Sequence, residues 1–310
     1  MKRTFLAVLA SLAFLAEIMA EPVFLLPGEI LAPGHGEIHL SYSNGEFLKR
    51  HDGSSSASDV AAGELRRHTA LPLRLRYALP GGEEVVARSS YMDLMHRVPS
   101  FGNYSRTGVG DVLLLVRSQA NLWGDLRGAL GIGVNIPTGR GVFDVSANEA
   151  PTGDGTWDGA ASFAWADKRD GVTFHAEVTY FLRFPRTATK AMDQALTEEV
   201  RFGFAHRFQW GMSAELKASD ALSLFGEMFG RVHLSQSGTY ATNGADASAE
   251  INAKAFPEFY AQPQDSIWLA PMVQIQASPS LKFAGGAAWP LRLTNGYSGL
   301  MYLANASFKF

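Results

Sequence analysis

Apolar and polar residues alternate with a period of two along much of this chain. In the stretch TFHAEVTYFLRF, Phe174, Ala176, Val178, Tyr180, Leu182 and Phe184 share one face, and Thr173, His175, Glu177, Thr179 and Arg183 share the other. In LPLRLRYAL, Leu71, Leu73, Leu75, Tyr77 and Leu79 oppose Arg74 and Arg76. The last thirteen residues, SGLMYLANASFKF, place Tyr302, Ala304, Ala306, Phe308 and Phe310 on one side and Asn305, Ser307 and Lys309 on the other. A helix repeats every 3.6 residues, whereas alternate residues of a strand point to opposite faces. The pattern predicts about twelve strands, near 37–48, 65–79, 84–96, 109–122, 126–137, 157–166, 171–184, 199–217, 221–235, 265–277, 281–292 and 299–310. The third has the poorest alternation, because Arg88 and Asp93 fall on opposite faces.

These strands run to about 10–16 residues, well beyond the five or six typical of soluble sheets and matched to a tilted crossing of a bilayer. The connections add a second signal. Short turns at 80–82, 123–125, 167–170, 219–220 and 278–280 alternate with longer loops at 49–64, 97–108, 138–156, 185–198 and 236–264. Short turns on one side and long loops on the other are the signature of an up-and-down transmembrane barrel. The expected fold class is therefore all-β, a transmembrane antiparallel up-and-down β-barrel of about twelve strands over 37–310. Tyr42, Tyr77, Trp157, Trp165, Tyr180, Phe184, Trp210, Trp289, Tyr302 and Phe310 fall near strand ends, as interfacial girdles require.

Composition narrows the setting. The chain of 310 residues is 46% hydrophobic, carries a formal charge of -3 and contains no cysteine. It has no basic footprint for nucleic acid and no thiol for a disulfide or lipid anchor. Lys2 and Arg3, followed by the apolar run Phe5–Leu15, read as a signal peptide over 1–20 and imply export, which leaves a periplasmic, secreted or outer-membrane protein, and the barrel pattern selects the outer membrane of a Gram-negative cell. Residues 21–36 read as a periplasmic lead-in, with a segment tucked into the barrel mouth as the alternative. Even strand number puts both ends of the barrel domain on the periplasmic side.

Closing such a barrel turns the polar face inward. The candidate solute pathway is Arg74, Arg76, Asp111, Arg117, Arg127, Glu177, Arg201, Arg207, Glu227 and Arg231. Buried charges need partners or water, so these residues either line a passage or form a salt-bridged plug. An excess of basic groups favours anionic or polarisable solutes. The longest connection contains KAFPEFYAQP, and Phe256, Phe259 and Tyr260 make it the candidate gate. No P-loop, H-E-x-x-H, G-x-S-x-G or cysteine pair occurs, and DVSANEAPTGDGTWDG lacks calcium-loop spacing. No catalytic residue, metal ligand or cofactor is assigned, and the chain is not expected to be an enzyme.

Three segments carry a resemblance. TGVGDVLLLVRSQ, GALGIGVNIPTGRG and TGDGTWDGAASFAWA resemble elements of the barrel family named for the meta-pathway of phenol degradation. Gly108, Gly110 and Asp111 match the first element, Gly131, Gly133, Pro137, Thr138 and Gly139 the second, and Gly153, Gly155 and Asp158 the third. The resemblance implies an outer-membrane channel for passive uptake of small aromatic or hydrophobic solutes. The motif also reads as a device of the barrel rim, with Asp111 placed to receive Arg117 or Arg127. An outer-membrane lipid hydrolase and a closed structural or adhesive barrel are the alternatives. Phe308 and Phe310 resemble the C-terminal signal read by barrel-assembly machinery. The expected partners are outer-membrane lipid, that machinery and a small solute, with no nucleic acid and no defined oligomeric state.

Overall fold

A computed structural model describes residues 26–51, 57–59, 64–98, 102–121, 127–141, 144, 149, 152–153, 155–169, 171–191, 194–203, 205–234, 238–241, 265–293 and 296–310. Its strands in chain order are β1 (Gly36–Phe47), β2 (Lys49–His51), β3 (Ala57–Asp59), β4 (Leu65–Ala78), β5 (Glu83–Val98), β6 (Gly102–Val109), β7 (Val112–Asn121), β8 (Arg127–Ile136), β9 (Asp158–Arg169) and β10 (Val172–Arg183). They continue with β11 (Arg186–Ala191), β12 (Gln194–Gly203), β13 (Arg207–Lys217), β14 (Leu222–His233), β15 (Gly238–Ala241), β16 (Ser266–Ser278), β17 (Leu281–Leu293), β18 (Gly296–Ser298) and β19 (Met301–Lys309).

Twelve of these form one antiparallel wall in the order β4-β1-β19-β17-β16-β14-β13-β10-β9-β8-β7-β5, and β5 pairs back onto β4 to close it. Closure leaves no sheet edge, which is what a strand wall in hydrocarbon requires. β6 pairs with the outer half of β5 while β7 pairs with its inner half. β6 and β7 therefore act as one strand broken at Gly110-Asp111.

The burial pattern is the inverse of a soluble protein's. On β1, Ile38, Leu40 and Tyr42 are exposed, whereas Ser41 and Ser43 are each only 1% exposed. On β8, Leu130, Ile132 and Val134 are exposed and Asn135 is buried. The apolar face points outward and the polar face into the barrel. Water would penalise that outer belt by about 25 cal/mol for every Å² left uncovered, and hydrocarbon removes the penalty.

The ladder at the seam joins β1 to β19 from Glu37↔Lys309 to Gly45↔Met301. Gly36 N donates to Phe310 O (2.8 Å), and Phe310 N donates to Gly36 O (3.0 Å). Phe310 is thus the last rung of the seam. Its ring stacks on that of Phe308, with centroids 6.2 Å apart, on the outer surface.

Three boundaries differ from the sequence reading. The strand expected over 199–217 enters the wall only at Arg207, and its first part forms β12, which pairs with β11 and β15 in a separate three-stranded sheet. Nineteen residues at 3.3 Å each would run about 63 Å, far beyond the roughly 25 Å apolar band of such a barrel. For the same reason the expected loops at 97–108 and 185–198 contain β6 and the β11–β12 hairpin. A second small sheet, β18-β2-β3, also sits at the end of the barrel that carries the long loops.

Candidate functional site

The barrel's inward face has two chemically distinct sides. One is a charged lattice on β1, β4, β5, β7 and β10. Glu37 on β1 accepts from Arg74 (3.3 Å) and Arg76 (3.2 Å) on β4. Arg76 also donates to Glu84 on β5 (2.7 Å), which accepts from Arg117 on β7 (2.8 Å) as well. Arg88 on β5 reaches across to Glu177 on β10 (3.0 Å), which also accepts from Thr179 Oγ1 (3.2 Å). Arg117 and Glu84 are fully buried. A buried ion pair holds only when its geometry is good, and here the Glu37 and Glu84 carboxylates are each shared between two arginines, while Nε of Arg76 and of Arg117 finds no hydrogen-bond partner among the described residues.

Nearer the long loops the charges continue with Asp111, Asp158, Arg183, Arg207, Glu227 and Arg231, all buried. The Arg207 guanidinium lies 4.5 Å over the Phe181 ring. A cavity of about 30 Å³ is lined there by Ser90, Met92, Gly110, Asp111, Leu113, Asn135, Phe181, Arg207, Gln209 and Arg231. It has room for about two water molecules.

The other side is apolar. Phe229, Trp268, Ala270, Met272, Ala288, Leu293, Met301 and Leu303 form one buried cluster with Phe47, and Phe225 packs against it. Register explains the grouping. Phe225 stands opposite Met272, Met272 opposite Gly286, and Gly286 opposite Leu303, so one row crosses β14, β16, β17 and β19. Phe229 stands opposite Trp268 in a second row. A Cβ on Gly286 would lie 2.6 Å from Met272 Cγ, so the glycine makes room for the methionine. Trp268 Nε1 has no hydrogen-bond partner among the described residues.

Eight of the ten residues assigned to the pathway are buried in the wall: Arg74, Arg76, Asp111, Arg117, Glu177, Arg207, Glu227 and Arg231. Arg201 is a correction. It is exposed on β12, outside the barrel wall, because the wall strand expected to hold it begins only at Arg207. Arg127 opens β8, and its side chain lies outside the described residues. The gate residues Phe256, Phe259 and Tyr260, and the segment 1–20, also lie outside them. The segment expected as a periplasmic lead-in touches the charged lattice: Leu26 N donates to Glu177 Oε2 (2.6 Å) and Leu31 N donates to Glu84 Oε1 (3.1 Å).

The three motif elements meet at one point of the rim. Gly139 N donates to Asp111 Oδ1 (3.0 Å), and Thr138 Oγ1 donates to Gly110 O (2.7 Å). Gly153 N donates to Arg140 O (3.1 Å). A Cβ on Gly153 would lie 2.3 Å from Asp111 Oδ1, and one on Gly139 would lie 2.7 Å from Gly153 Cα. Pro137 follows Ile136, the last residue of β8, just before this junction. Gly108 flanks Thr152, and Gly155 takes a φ of +70 where its carbonyl accepts from Arg186 (3.0 Å). Asp158 accepts from Thr156 Oγ1 (3.1 Å) and Asn135 Nδ2 (3.3 Å). The expected pairing of Asp111 with Arg117 does not form. Six strand positions, about 20 Å, separate them, and Arg117 meets Glu84 instead.

Sequence reasoning missed Glu37, Glu84 and Arg88 in the lattice and the whole apolar side. The parity signal was present. Phe225 and Phe229 alternate with the same phase as Glu227 and Arg231, and Trp268 and Met272 share the phase of Gln274 and Gln276.

No protein-family model matches the chain, and no curated protein does. Solved structures do. An outer membrane channel from Pseudomonas putida F1 aligns with a TM-score of 0.66 at 11% identity, over 91% of this chain and 98% of that one. The transport unit of the autotransporter AIDA-I from Escherichia coli aligns at 0.49 and 10% identity, over 93% and 94% of the two chains. A monoaromatic hydrocarbon channel, a TodX variant, aligns at 0.46 and 9% identity, over 90% of each. At these identities the likeness is one of fold, a closed barrel of the outer-membrane type.

Proposed function

We propose that this barrel is a passive outer-membrane channel for small aromatic or hydrophobic solutes. The observation that carries the reading is the divided lumen. Phe225, Phe229, Trp268, Met272, Met301 and Leu303 give an apolar side to an interior whose other side is charged. A barrel that needed only to be stable could fill its interior with paired charges throughout. Aromatic rings and thioethers instead offer offset stacking and sulfur–ring contacts to a flat apolar solute. The unmet N–H of Trp268 adds one donor for a solute with a single acceptor, such as a phenolic oxygen or a carboxylate. The channel role of the Pseudomonas protein that shares the fold agrees with this reading.

Flux into liposomes tests it. Purified protein should admit phenol or benzoate faster than a sugar of equal size. Ring contacts are worth ~0.5–1.5 kcal/mol, so Trp268→Ala should lower that preference by about two- to tenfold. Absence of solute flux together with absence of conductance in planar bilayers would reject the reading.

A further inference from the structure

The small cavity beside the rim motif lies where the charged and apolar sides of the barrel meet. Its wall is drawn from β5, β7, β8, β10, β13 and β14. Ser90 on β5 lines it, and this residue is only 2% exposed. Its hydroxyl has no hydrogen-bond partner among the described residues. A buried hydroxyl left unmet is costly, so the group calls for a ligand or a water. Gly110 keeps the space beside it open: a Cβ there would lie 3.1 Å from Ser90 Oγ and 2.9 Å from Met92 Cε.

The polar lining is rich in donors. Arg207 on β13 and Arg231 on β14 contribute guanidinium groups, and Gln209, directly opposite Arg231 in the ladder, contributes an amide. Phe181 holds the Arg207 guanidinium 4.5 Å from its ring, which fixes the cation without a hydrogen bond. Asp111 is the one carboxylate of this lining, and its Oδ1 already takes Gly139 N (3.0 Å). Asn135 spends its Nδ2 donor on Asp158 (3.3 Å). Two cations, an amide and a hydroxyl therefore face one carboxylate that is engaged by the rim. Room for about two water molecules is also room for the two oxygens of a carboxylate, the group that a guanidinium fork matches.

The apolar side begins next to this cavity. Phe229 lies two positions before Arg231 on the inward face of β14, about 6.6 Å along the strand, and stands opposite Trp268. We infer that the cavity is a carboxylate subsite that selects organic acids with a flat apolar body. Arg207, Arg231, Gln209 and the Ser90 hydroxyl hold the head, and the Phe229–Trp268 row receives the body. The inference rests on the channel reading above and narrows its solutes to anions of this class. Two cations against one carboxylate favour the acid over a neutral molecule of the same shape, and the aromatic row favours it over a bare small anion.

The test is binding by the full chain refolded in detergent, read by calorimetric titration with benzoate, benzamide and acetate. Benzoate should bind about tenfold or more tightly than benzamide, its neutral near-isostere. It should also bind more tightly than acetate, which has the head without the body. Ser90→Ala leaves every charge in place and should weaken benzoate binding several-fold. Arg231→Gln should bring benzoate down to the level of benzamide, whereas Lys217→Ala, at a short turn, should bind as wild type does. Heat-modifiable migration checks that each variant is folded, and if Arg231→Gln fails to fold, Ser90→Ala decides. Equal binding of benzoate and benzamide, or benzoate binding that neither cavity variant alters, would overturn the subsite and leave a cavity for water only. Acetate binding as tight as that of benzoate would overturn the assignment to apolar acids. Phenol flux into liposomes with no benzoate binding would overturn the subsite and leave the channel standing. Benzoate binding without flux of any solute would support the subsite and overturn the channel.

Discussion

Glu84 shows how much one inward residue carries. It is fully buried, accepts from Arg76 at 2.7 Å and Arg117 at 2.8 Å, and also receives Leu31 N at 3.1 Å. Removing its charge leaves two guanidinium groups in a low-dielectric wall with one shared counter-ion fewer. Breaking a buried pair from one side costs about 3–5 kcal/mol, several times a typical surface pair. Glu84→Gln should lower unfolding stability by that order in a urea titration of detergent-refolded protein. The turn pair Lys217–Asp220 has the same 2.7 Å separation but is solvent-exposed. Lys217→Ala should therefore change stability by no more than about 0.5 kcal/mol. Equal effects would mean that the lattice is hydrated and that its burial does not set its energy. Glu84 escaped the sequence reading because it opens the strand whose alternation looked worst. In the structure that strand alternates cleanly, with Glu84, Val86, Arg88, Ser90 and Met92 all buried. It runs from a charged lattice into an apolar region, so no single polar phase marks it.

At the level of elements, strand positions were legible because period two is imposed twice, by hydrocarbon outside and by the lumen inside. The outer sheets and residues 26–31 were not legible in the same way. β12 continues the alternation of β13 without punctuation, so nothing in the sequence marks where the wall ends. Residues 26–31 have no periodicity, since their hydrogen bonds to the wall come from their main chain. The rim motif was legible as a set of residues, and the structure supplies the reason for its spacing: Asp111, Gly139 and Gly153 must meet. The seam is the element whose failure is easiest to see. Phe310 closes it through two main-chain bonds to Gly36, and a Cβ on Gly36 would lie 2.3 Å from the Phe310 ring. Deleting Phe310, or replacing Gly36 by valine, should reduce the fraction of protein that reaches the heat-modifiable barrel form. Conductance per correctly folded molecule should stay near wild type. A normal folded yield with altered conductance would place Phe310 in the pathway and not in closure.

The whole molecule is a barrel whose two interior sides answer different demands. The charged side ties β1, β4, β5, β7 and β10 together through shared carboxylates, and the apolar side packs β14, β16, β17 and β19 against one another. Neither side could be assigned from one strand, because each is assembled from strands distant in sequence: β1, β4, β5, β7 and β10 for the first, β14, β16, β17 and β19 for the second. The charge balance inside follows from the same assembly. Among the described residues, Arg66, Arg74, Arg76, Arg88, Arg117, Arg183, Arg207 and Arg231 are buried, against Glu37, Glu84, Asp111, Asp158, Glu177 and Glu227. The interior is modestly positive by this balance, and low-dielectric walls concentrate that field. Because most of the arginines remain paired, the preference should be mild. In planar bilayers the reversal potential across a potassium chloride gradient should have the sign of chloride permeation, and raising salt should weaken it as screening grows. A potential of potassium sign would mean that the paired lattice contributes nothing to selectivity and that other carboxylates face the solute.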